Sequence, residues 1–333
     1  MKTYQNLSWS KIAPTLLFAF LIVPFFCLSC KSDKKEAEQE AESQPMEEVA
    51  ENEENVIEIL TENMDFQIAD TIPSGWNTFR YINQSTQTHF VLIDKYPEGR
   101  GSEDAEKIIG PIFDQGMKLI NEGKAEEGFA EFGKLPEWFS EVVFMGGVGL
   151  VSPGHTAETT LHLKPGKYML ECYVKMENGI FHTSMGMTKD LVVSESDSGN
   201  PEPTADIVIE VSGTDGIVFN DSIGPGMHTF SVFYKDQKAH ENFVGHDVNL
   251  VKLEDNGSME ALESWMNWAD PKGLIEPAPA GIIFMGGTND MPEGSKGYFH
   301  VDLKPGNYVL ISEVPAASSK NLMKSFVISE ASE

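Results

Sequence analysis

Cysteine is scarce in this sequence: there are three in 333 residues, and two of them, Cys27 and Cys30, fall in the N-terminal leader. Cys172 therefore has no evident disulfide partner, and the chain is not a disulfide scaffold. Basic residues are also few, because 24 Lys and Arg stand against 52 Asp and Glu, for a net charge of −28. Such an acidic chain, without Lys/Arg clusters, does not belong to the classes that bind nucleic acid or dock by charge on anionic lipid.

Familiar catalytic signatures are missing as well. The sequence has no G-x-S-x-G elbow, no Walker phosphate loop and no H-E-x-x-H, and beyond the leader it has no C-x-x-C. Its acidic residues are scattered and show no recognisable catalytic pairing. We therefore predict that the protein is not an enzyme, and we assign no catalytic residue.

The N-terminus has the pattern of a secretory signal. Lys2 and Lys11 precede the apolar run "IAPTLLFAFLIVPFFCLSC" (12–30), which is typical of a cleaved leader. A transmembrane anchor of about 18 residues is the alternative. The end of the run, "CLSC" at 27–30, resembles the lipobox of bacterial lipoproteins. That resemblance implies a signal peptide at 1–29 and a lipidated Cys30, which anchors the chain at the bacterial cell envelope, on the periplasmic side or at the outer-membrane surface.

The segment that follows Cys30 is polar and acidic. Ten acidic and three basic residues lie between positions 31 and 55, with almost nothing apolar among them. A segment of this composition cannot offset the conformational entropy that folding would remove. We predict a disordered tether over residues 30–56, between the lipid anchor and the folded part.

An internal repeat is the strongest signal in the sequence. "FMGGVGLVSPGHTAETTLHLKPGKY" (144–168) aligns without a gap to "FMGGTNDMPEGSKGYFHVDLKPGNY" (284–308), with ten identities in 25 positions. The stretches before and after this segment match too, as "DTIPSGWNTF" (70–79) with "DSIGPGMHTF" (221–230) and "LVVSE" (191–195) with "FVISE" (326–330). The repeat predicts two tandem domains of one fold, at 57–196 and 204–333.

Short apolar runs separated by Gly and Pro predict β-strands within each copy, for example "HFVLIDK" and "YMLECYV". Alternation along "YMLECYV" predicts Cys172 on the core face and Met169 on the opposite face. Helical patterns interrupt the first copy at about 102–133, and "SMEALESWMNWA" is a shorter equivalent in the second. The predicted fold class is all-β, with two tandem Greek-key β-sandwiches that carry helical insertions.

Two stretches of the first copy resemble the cupredoxins, the blue copper fold of plastocyanin and azurin. "PGKYMLEC" (165–172) followed by "HTSMGM" (182–187) is similar to the segment in which a strand delivers a Cys and a loop brings a His and a Met. "FRYINQSTQTHFVLI" (79–93) resembles the cupredoxin strand that ends in Asn, here Asn83, with the first His, here His89, after five more residues. The resemblance implies two cupredoxin-like domains.

A mononuclear copper site in the first domain follows from the same resemblance. It implies that Cys172 is the thiolate ligand, that His89 and His182 are the imidazole ligands and that Met187 is the axial thioether. Asn83 then supports the ligands from behind by hydrogen-bonding backbone near the site. This donor set suits copper because a thiolate and two imidazoles serve both of its oxidation states.

The loop between Cys172 and His182 is longer than in the family, with nine intervening residues. It contains Asn178 and Gly179, a turn pair that predicts a hairpin returning the chain toward Cys172.

The second copy lacks the ligand set. Alignment from the shared ends matches Cys172 with Ser312, His182 with Ala317 and Met187 with Leu322. Of the four ligand positions, only that of His89 is matched by a potential ligand, His246. We therefore predict no copper site in the second domain. Met145 and Met285 of the paired "FMGG" are predicted to be structural. The remaining histidines have no spacing that suggests a shared ligand site, and they are predicted to be solvated: His155, His162, His228, His240 and His300.

Two classes of function fit these features. One is a membrane-anchored copper protein that serves electron transfer or copper handling, with a redox or envelope protein as its partner. The other is a metal-free binding module that contacts a partner protein or a glycan. An enzyme accessory domain is a third hypothesis. Convergence of the four ligands in the folded chain separates the first two.

Overall fold

The computed structural model describes residues 56–240 and 245–330, which belong to one compact unit. The predicted signal peptide, Cys30 and the tether as far as residue 55 lie outside the described residues. Among the helices in the described ranges, none combines the length and the apolar character that crossing a membrane requires.

The described residues are mainly β, and strands make up both copies of the repeat. The first half contains β1 (Val56–Thr61), β2 (Thr71–Asn83), β3 (His89–Lys95), β4 (Val143–Val151), β5 (Thr156–Leu163), β6 (Gly166–Glu171) and β7 (Thr188–Asp197). The second half contains β8 (Ile207–Ser212), β9 (Gly216–Val218), β10 (Gly226–Tyr234), β11 (Val248–Leu253), β12 (Ile282–Thr288), β13 (Lys296–Leu303), β14 (Gly306–Ile311) and β15 (Met323–Ile328).

Both halves are built on the same strand plan. In the first, β1 runs parallel to β2, β2 pairs with β5, and β3 lies between β4 and β6, with β7 beside β6. In the second, β8, β10, β13, β11, β12, β14 and β15 make the equivalent pairs. The predicted all-β fold with a duplicated unit is therefore confirmed, and it is consistent with tandem cupredoxin-like domains.

The two halves meet edge to edge. β4 pairs antiparallel with β12, and β5 pairs antiparallel with β13. Val148 is the direct partner of Thr288, and Thr159 is the direct partner of Phe299. In the sequence repeat these are equivalent positions, so a local two-fold relationship runs through both pairings. The sheets continue from one half into the other, and the division into domains at 57–196 and 204–333 stays a prediction.

The helical insertion lies where the sequence predicts it. It comprises α1 (Ser102–Asp104), a π-helical turn (Ala105–Ile109), α2 (Gly110–Asn121) and α3 (Ala125–Phe132), followed by a 3₁₀ turn at Glu137–Glu141. The second half has the shorter α4 (Met259–Met266), whose first turn is capped by the Ser258 hydroxyl. Two further 3₁₀ turns lie at equivalent places of the halves, Thr183–Met185 and Ala317–Lys320.

Strand β6 differs from its prediction in two respects. It ends at Glu171, so Cys172 lies just beyond the strand and not within it. Cys172 does lie in the main core, as predicted, but Met169 on the opposite face is buried as well. The helical insertion covers that face, since Met169 packs there with Tyr96 and Ala105. The face is buried by tertiary packing that the strand alternation does not encode.

Candidate metal centre

Asn83 holds the segment that delivers His89. It ends β2 and is fully buried. Its side-chain amide donates to the carbonyl oxygens of Gln87 and Val151, each 2.8 Å away, and its side-chain oxygen accepts from the backbone and hydroxyl of Ser85. The turn before β3 is thereby tied to β4, which sets the position of His89 at the start of β3. The predicted backbone-bonding role of Asn83 agrees with these contacts.

Cys172 enters the site from the end of β6. The side chain is fully buried and carries a free thiol. Its sulfur accepts backbone hydrogen bonds from Phe90 and Val174. Such bonds to sulfur favour the thiolate over the thiol, and they fix the direction in which the sulfur points.

The long loop after Cys172 closes as a small hairpin, as the Asn178–Gly179 pair predicts. Met176 donates its backbone N–H to Ile180 at 2.8 Å, and Gly179 has φ = +81°, in the left-handed region that glycine tolerates. The backbone N–H of His182 donates to the carbonyl oxygen of Val174 at 2.8 Å. His182 thus returns beside the strand end that carries Cys172.

Neighbouring segments hold this hairpin from outside. Lys175 forms a parallel bridge with Ile275 of the second half, and its N–H donates to Leu274 at 2.8 Å. On the other side, the Phe181 N–H donates to the Asp114 carboxylate of α2 at 3.1 Å. The helical insertion and the second half therefore both support the loop that positions His182.

The three donor atoms converge. The Cys172 sulfur lies 3.7 Å from His89 Nδ1 and 3.6 Å from His182 Nδ1, and the two Nδ1 atoms lie 3.0 Å apart. Each of the three side chains has 0% exposure. Among the described residues, these three side chains form the one group of at least three His, Cys, Asp or Glu donors that could hold a metal ion.

These distances fit an ion at the centre of the cluster. Bond lengths of about 2.0 Å to nitrogen and about 2.3 Å to sulfur, the values for a first-row ion such as zinc, place N and S about 3.7 Å apart when the angle at the ion is about 120°. The 3.0 Å between the nitrogens corresponds to an angle of roughly 100° at the same bond lengths. One small ion can therefore contact all three atoms without moving the chain.

Burial sets the protonation of the donors. It lowers the pKa of His89 to about 3, with the nearby His182 as a second cause, and lowers the pKa of His182 to about 4. Both imidazoles are therefore neutral near pH 7, as metal ligands must be. Burial raises the pKa of the Cys172 thiol to about 12, so the copper-free thiol is protonated.

Met187 lies in the same hydrophobic core cluster as Cys172. It is fully buried, and its carbonyl oxygen accepts the Cys172 N–H at 3.3 Å, while its own N–H donates to His182. Two nitrogens and one thiolate close to a plane, with a thioether nearby, make up a type 1 copper site. His89, Cys172, His182 and Met187 form such a site for one copper ion, which agrees with the predicted cofactor.

The second half has the same backbone plan without three of the four donors. Ser312 donates its N–H to Leu322, and Leu322 donates to Ala317, which reproduces the bonds of Cys172, Met187 and His182. The strand register matches His246 with His89. These equivalences agree with the alignment of the two copies. The other three ligand positions of the second half hold the hydroxyl of Ser312, the methyl of Ala317 and the side chain of Leu322.

The remaining histidines lie away from the cluster, but several are not simply solvated. His228 bonds Asp206, His300 bonds Thr160, and His240 lies 2.9 Å from His246. His155 is exposed and lies 3.0 Å from the Pro153 carbonyl. His162 is exposed and contacts Trp76 edge-on.

Sequence reasoning missed the groups on either side of Cys172. Glu171 and Tyr173 both line a cavity of about 880 Å³ that lies beside the metal centre, together with Asp290 and Glu313 of the second half. The one available signal is that "LECYV" places a charged and a polar aromatic residue next to the ligand.

No family model matches this sequence, and no curated protein is similar to it. Among solved structures it is similar to reduced auracyanin from Roseiflexus castenholzii (20% identity, 41% of this chain and 94% of that chain, TM-score 0.26). It is also similar to auracyanin A, a "blue" copper protein from Chloroflexus aurantiacus (23% identity, 42% and 98%, TM-score 0.25). The match to a copper-containing nitrite reductase from Thermus scotoductus has 12% identity over 84% of this chain and 62% of that one, with a TM-score of 0.20. Likenesses this weak decide nothing about the chain, whose metal centre stands on its own residues.

Proposed function

We propose that this chain is a membrane-anchored, cupredoxin-like lipoprotein whose first half holds one copper ion for electron transfer. The supporting observation is the convergence of His89, Cys172 and His182, three fully buried side chains whose donor atoms lie within 3.7 Å of one another. A buried thiol between two neutral imidazoles is a poor arrangement for a solvent-facing binding surface, and it is a suitable one for a resident ion.

Copper, when bound, supplies a one-electron couple. The chain supplies a site whose geometry is fixed by structure around it. His89 is fixed through Asn83, Cys172 by the backbone N–H groups at its sulfur, and His182 by the hairpin. Because these supports do not depend on the oxidation state, little rearrangement accompanies a change of charge.

Burial also favours electron transfer over copper handling. A protein that passes copper to another must open its site to a competing ligand. Here the three donors are fully buried, and the loop that carries His182 is bonded to α2 and to the second half. We expect slow release of copper and fast exchange of electrons.

The place in the cell follows from the leader. Lipidation of Cys30 tethers the folded part to an envelope membrane, since one cysteine that carries several acyl chains is a sufficient anchor. The acidic tether gives the copper half reach toward a redox partner protein, with the second half as a scaffold or docking surface. We propose no catalytic turnover by this chain itself.

Copper addition to the full-length chain tests the proposal. We expect uptake of one Cu(II) per chain, an intense visible thiolate-to-copper band, and reversible one-electron reduction. Cys172→Ala removes the band. Release to a chelator that is slow compared with electron exchange separates electron transfer from copper handling. Absence of stoichiometric copper uptake by the wild-type chain contradicts the proposal.

A further inference from the structure

A large cavity lies beside the metal centre. It measures about 880 Å³, within the size range of pockets that hold small organic ligands. Its lining comes from the helical insertion, from the chain next to Cys172, and from the second half. Thr183, which follows the ligand His182, reaches the same cavity.

Aromatic rings line much of this cavity. The ring of Phe113 lies 6.0 Å from those of Phe139 and Phe181 and 6.4 Å from that of Trp268, measured between centroids. Tyr173 contacts Trp268 edge-on at 6.1 Å. Rings in these edge-on arrangements can present their faces, which carry partial negative charge, to a ligand.

Three carboxyl groups also line the cavity and are here called the acidic floor: Glu171, Asp290 and Glu313. Asp290 and Glu313 have only 5% and 4% exposure. Gly245 donates its backbone N–H to Asp290, yet Asp290 Oδ1 has no hydrogen-bond partner among the described residues. An unpartnered carboxylate oxygen in a buried site carries a desolvation penalty that a bound donor would relieve.

Little positive charge offsets the acidic floor. Burial raises the pKa of Asp290 and of Glu313, and the nearby Asp247 carboxyl adds to both shifts. Lys175 is a buried cation whose charge reaches Glu313, but its ammonium donates to the Pro271 carbonyl at 3.1 Å and lies over the Phe181 ring. A bound cation would therefore stabilise the ionised forms of Asp290 and Glu313, in exchange for the protons that their raised pKa values favour.

The acidic floor is not shaped for a metal ion. In the described ranges, its oxygens do not gather into a cluster of three potential ligands, as the His89–Cys172–His182 donors do. Separated carboxyl groups and aromatic rings in one cavity instead suit a cation that also has apolar surface. A ring-bearing ammonium can place its charge toward Asp290 and Glu313 and its apolar body against Phe113 and Trp268.

We propose that this cavity binds an organic cation, an ammonium group on an apolar or aromatic body. The site is separate from the copper ligands, so binding needs no copper. Asp290 and Glu313 hold the ammonium, and the aromatic rings hold the body.

Two probes of nearly equal shape test this inference. The copper-free full-length chain is titrated calorimetrically at pH 7.5 with 1-naphthylmethylammonium and with the neutral 1-naphthylmethanol. We expect the cation to bind at least tenfold more tightly. Asp290→Asn combined with Glu313→Gln removes that preference and leaves binding of the alcohol unchanged. Glu210→Gln, on an exposed strand position, is the matched control and keeps the preference.

Equal affinity for the two probes, tighter binding of the alcohol, or no binding of either overturns the proposal. So does a preference that survives in the double variant. If the double variant does not fold, Asp290→Asn alone decides, with a preference reduced at least fivefold as the expected result. Trp268→Leu weakens both probes if they occupy this cavity, and unchanged affinity for both contradicts the assignment.

Discussion

The backbone N–H of His182 lies 2.8 Å from the carbonyl oxygen of Val174 and donates a hydrogen bond to it. This bond closes the nine-residue loop at its base, next to Cys172. The distance from Cys172 to His182 is therefore set by the hairpin and not by the length of the loop. The turn at Gly179 is the point on which that closure depends.

Gly179→Ala should speed the loss of copper. A residue other than glycine at φ = +81° costs about 1–2 kcal/mol, which shifts the loop toward an opened form. If copper leaves through the opened loop, its release becomes roughly tenfold faster, because about 1.4 kcal/mol corresponds to a factor of ten. The measurement is the rate at which a chelator removes copper from the loaded chain.

Gly199→Ala is the matched control for that experiment. Gly199 has φ = +76°, has open space at its Cβ position, and lies at the end of the first half. The two variants carry the same type of backbone strain. Equal release rates in both would show that the Gly179 turn does not gate the site.

His89→Ala and His246→Ala should differ in copper uptake although they occupy equivalent positions. Removing His89 takes one of three converging donors, so we expect no stoichiometric copper and no rise in melting temperature when copper is added. Removing His246 leaves one copper per chain, because Ser312, Ala317 and Leu322 supply no donor set. Stoichiometry by metal analysis decides, and a second copper in the wild-type chain that disappears in His246→Ala would contradict the assignment.

Asn83→Ala should weaken both the fold and the metal centre. It removes donors to two carbonyl oxygens, and buried groups left without partners cost about 1–3 kcal/mol each. We expect the free energy of unfolding to fall by about 3 kcal/mol and the visible copper band to lose intensity. Asn249→Ala is the control, because Asn249 accepts the Leu150 N–H in an equally buried place. It should lower stability similarly and leave the band unchanged.

Asp94→Asn should stabilise the chain at neutral pH and not in acid. Asp94 is fully buried, and burial with the adjacent Glu171 raises the pKa of its carboxyl in the folded state well above the ordinary value of 3.8. The folded state therefore holds a proton that the unfolded state gives up, and the associated stability is complete below about pH 3.8 and is lost as the pH rises. The Asn side chain of the variant does not ionise, so the variant does not lose this stability as the pH rises.

Unfolding of wild type and Asp94→Asn by denaturant at pH 4 and pH 8 measures this effect. We expect the advantage of the variant to be larger at pH 8 by about 1–3 kcal/mol, since one pKa unit corresponds to 1.36 kcal/mol. Asp221→Asn, at an exposed position, should show no such change. An advantage that is the same at both pH values would mean that Asp94 ionises normally.

The sequence could predict the ligand residues because the features that carry them are local. Cys172, His182 and Met187 fall within 16 residues of chain, and Asn83 stands close to His89. The repeat could likewise predict the equivalence of the halves, since it aligns residue by residue without a gap. Turn chemistry at Gly179 was enough to predict the hairpin.

The cavity could not be predicted, because its parts come from distant segments. Phe113 belongs to the insertion, Tyr173 follows Cys172, and Trp268, Asp290 and Glu313 belong to the second half. No periodicity records which of these meet. Burial of Met169 was missed for the same reason, since the segment that covers it arises about 60 residues earlier in the chain.

The pairing of β4 with β12 and of β5 with β13 has a consequence for how the chain is organised. Equivalent residues face each other there, as Val148 faces Thr288. A single half, cut from the chain, would expose two strand edges that are complementary to those of a second identical half. The junction therefore has the geometry of a symmetric homodimer interface within one polypeptide, and the metal ligands lie in one of its two halves.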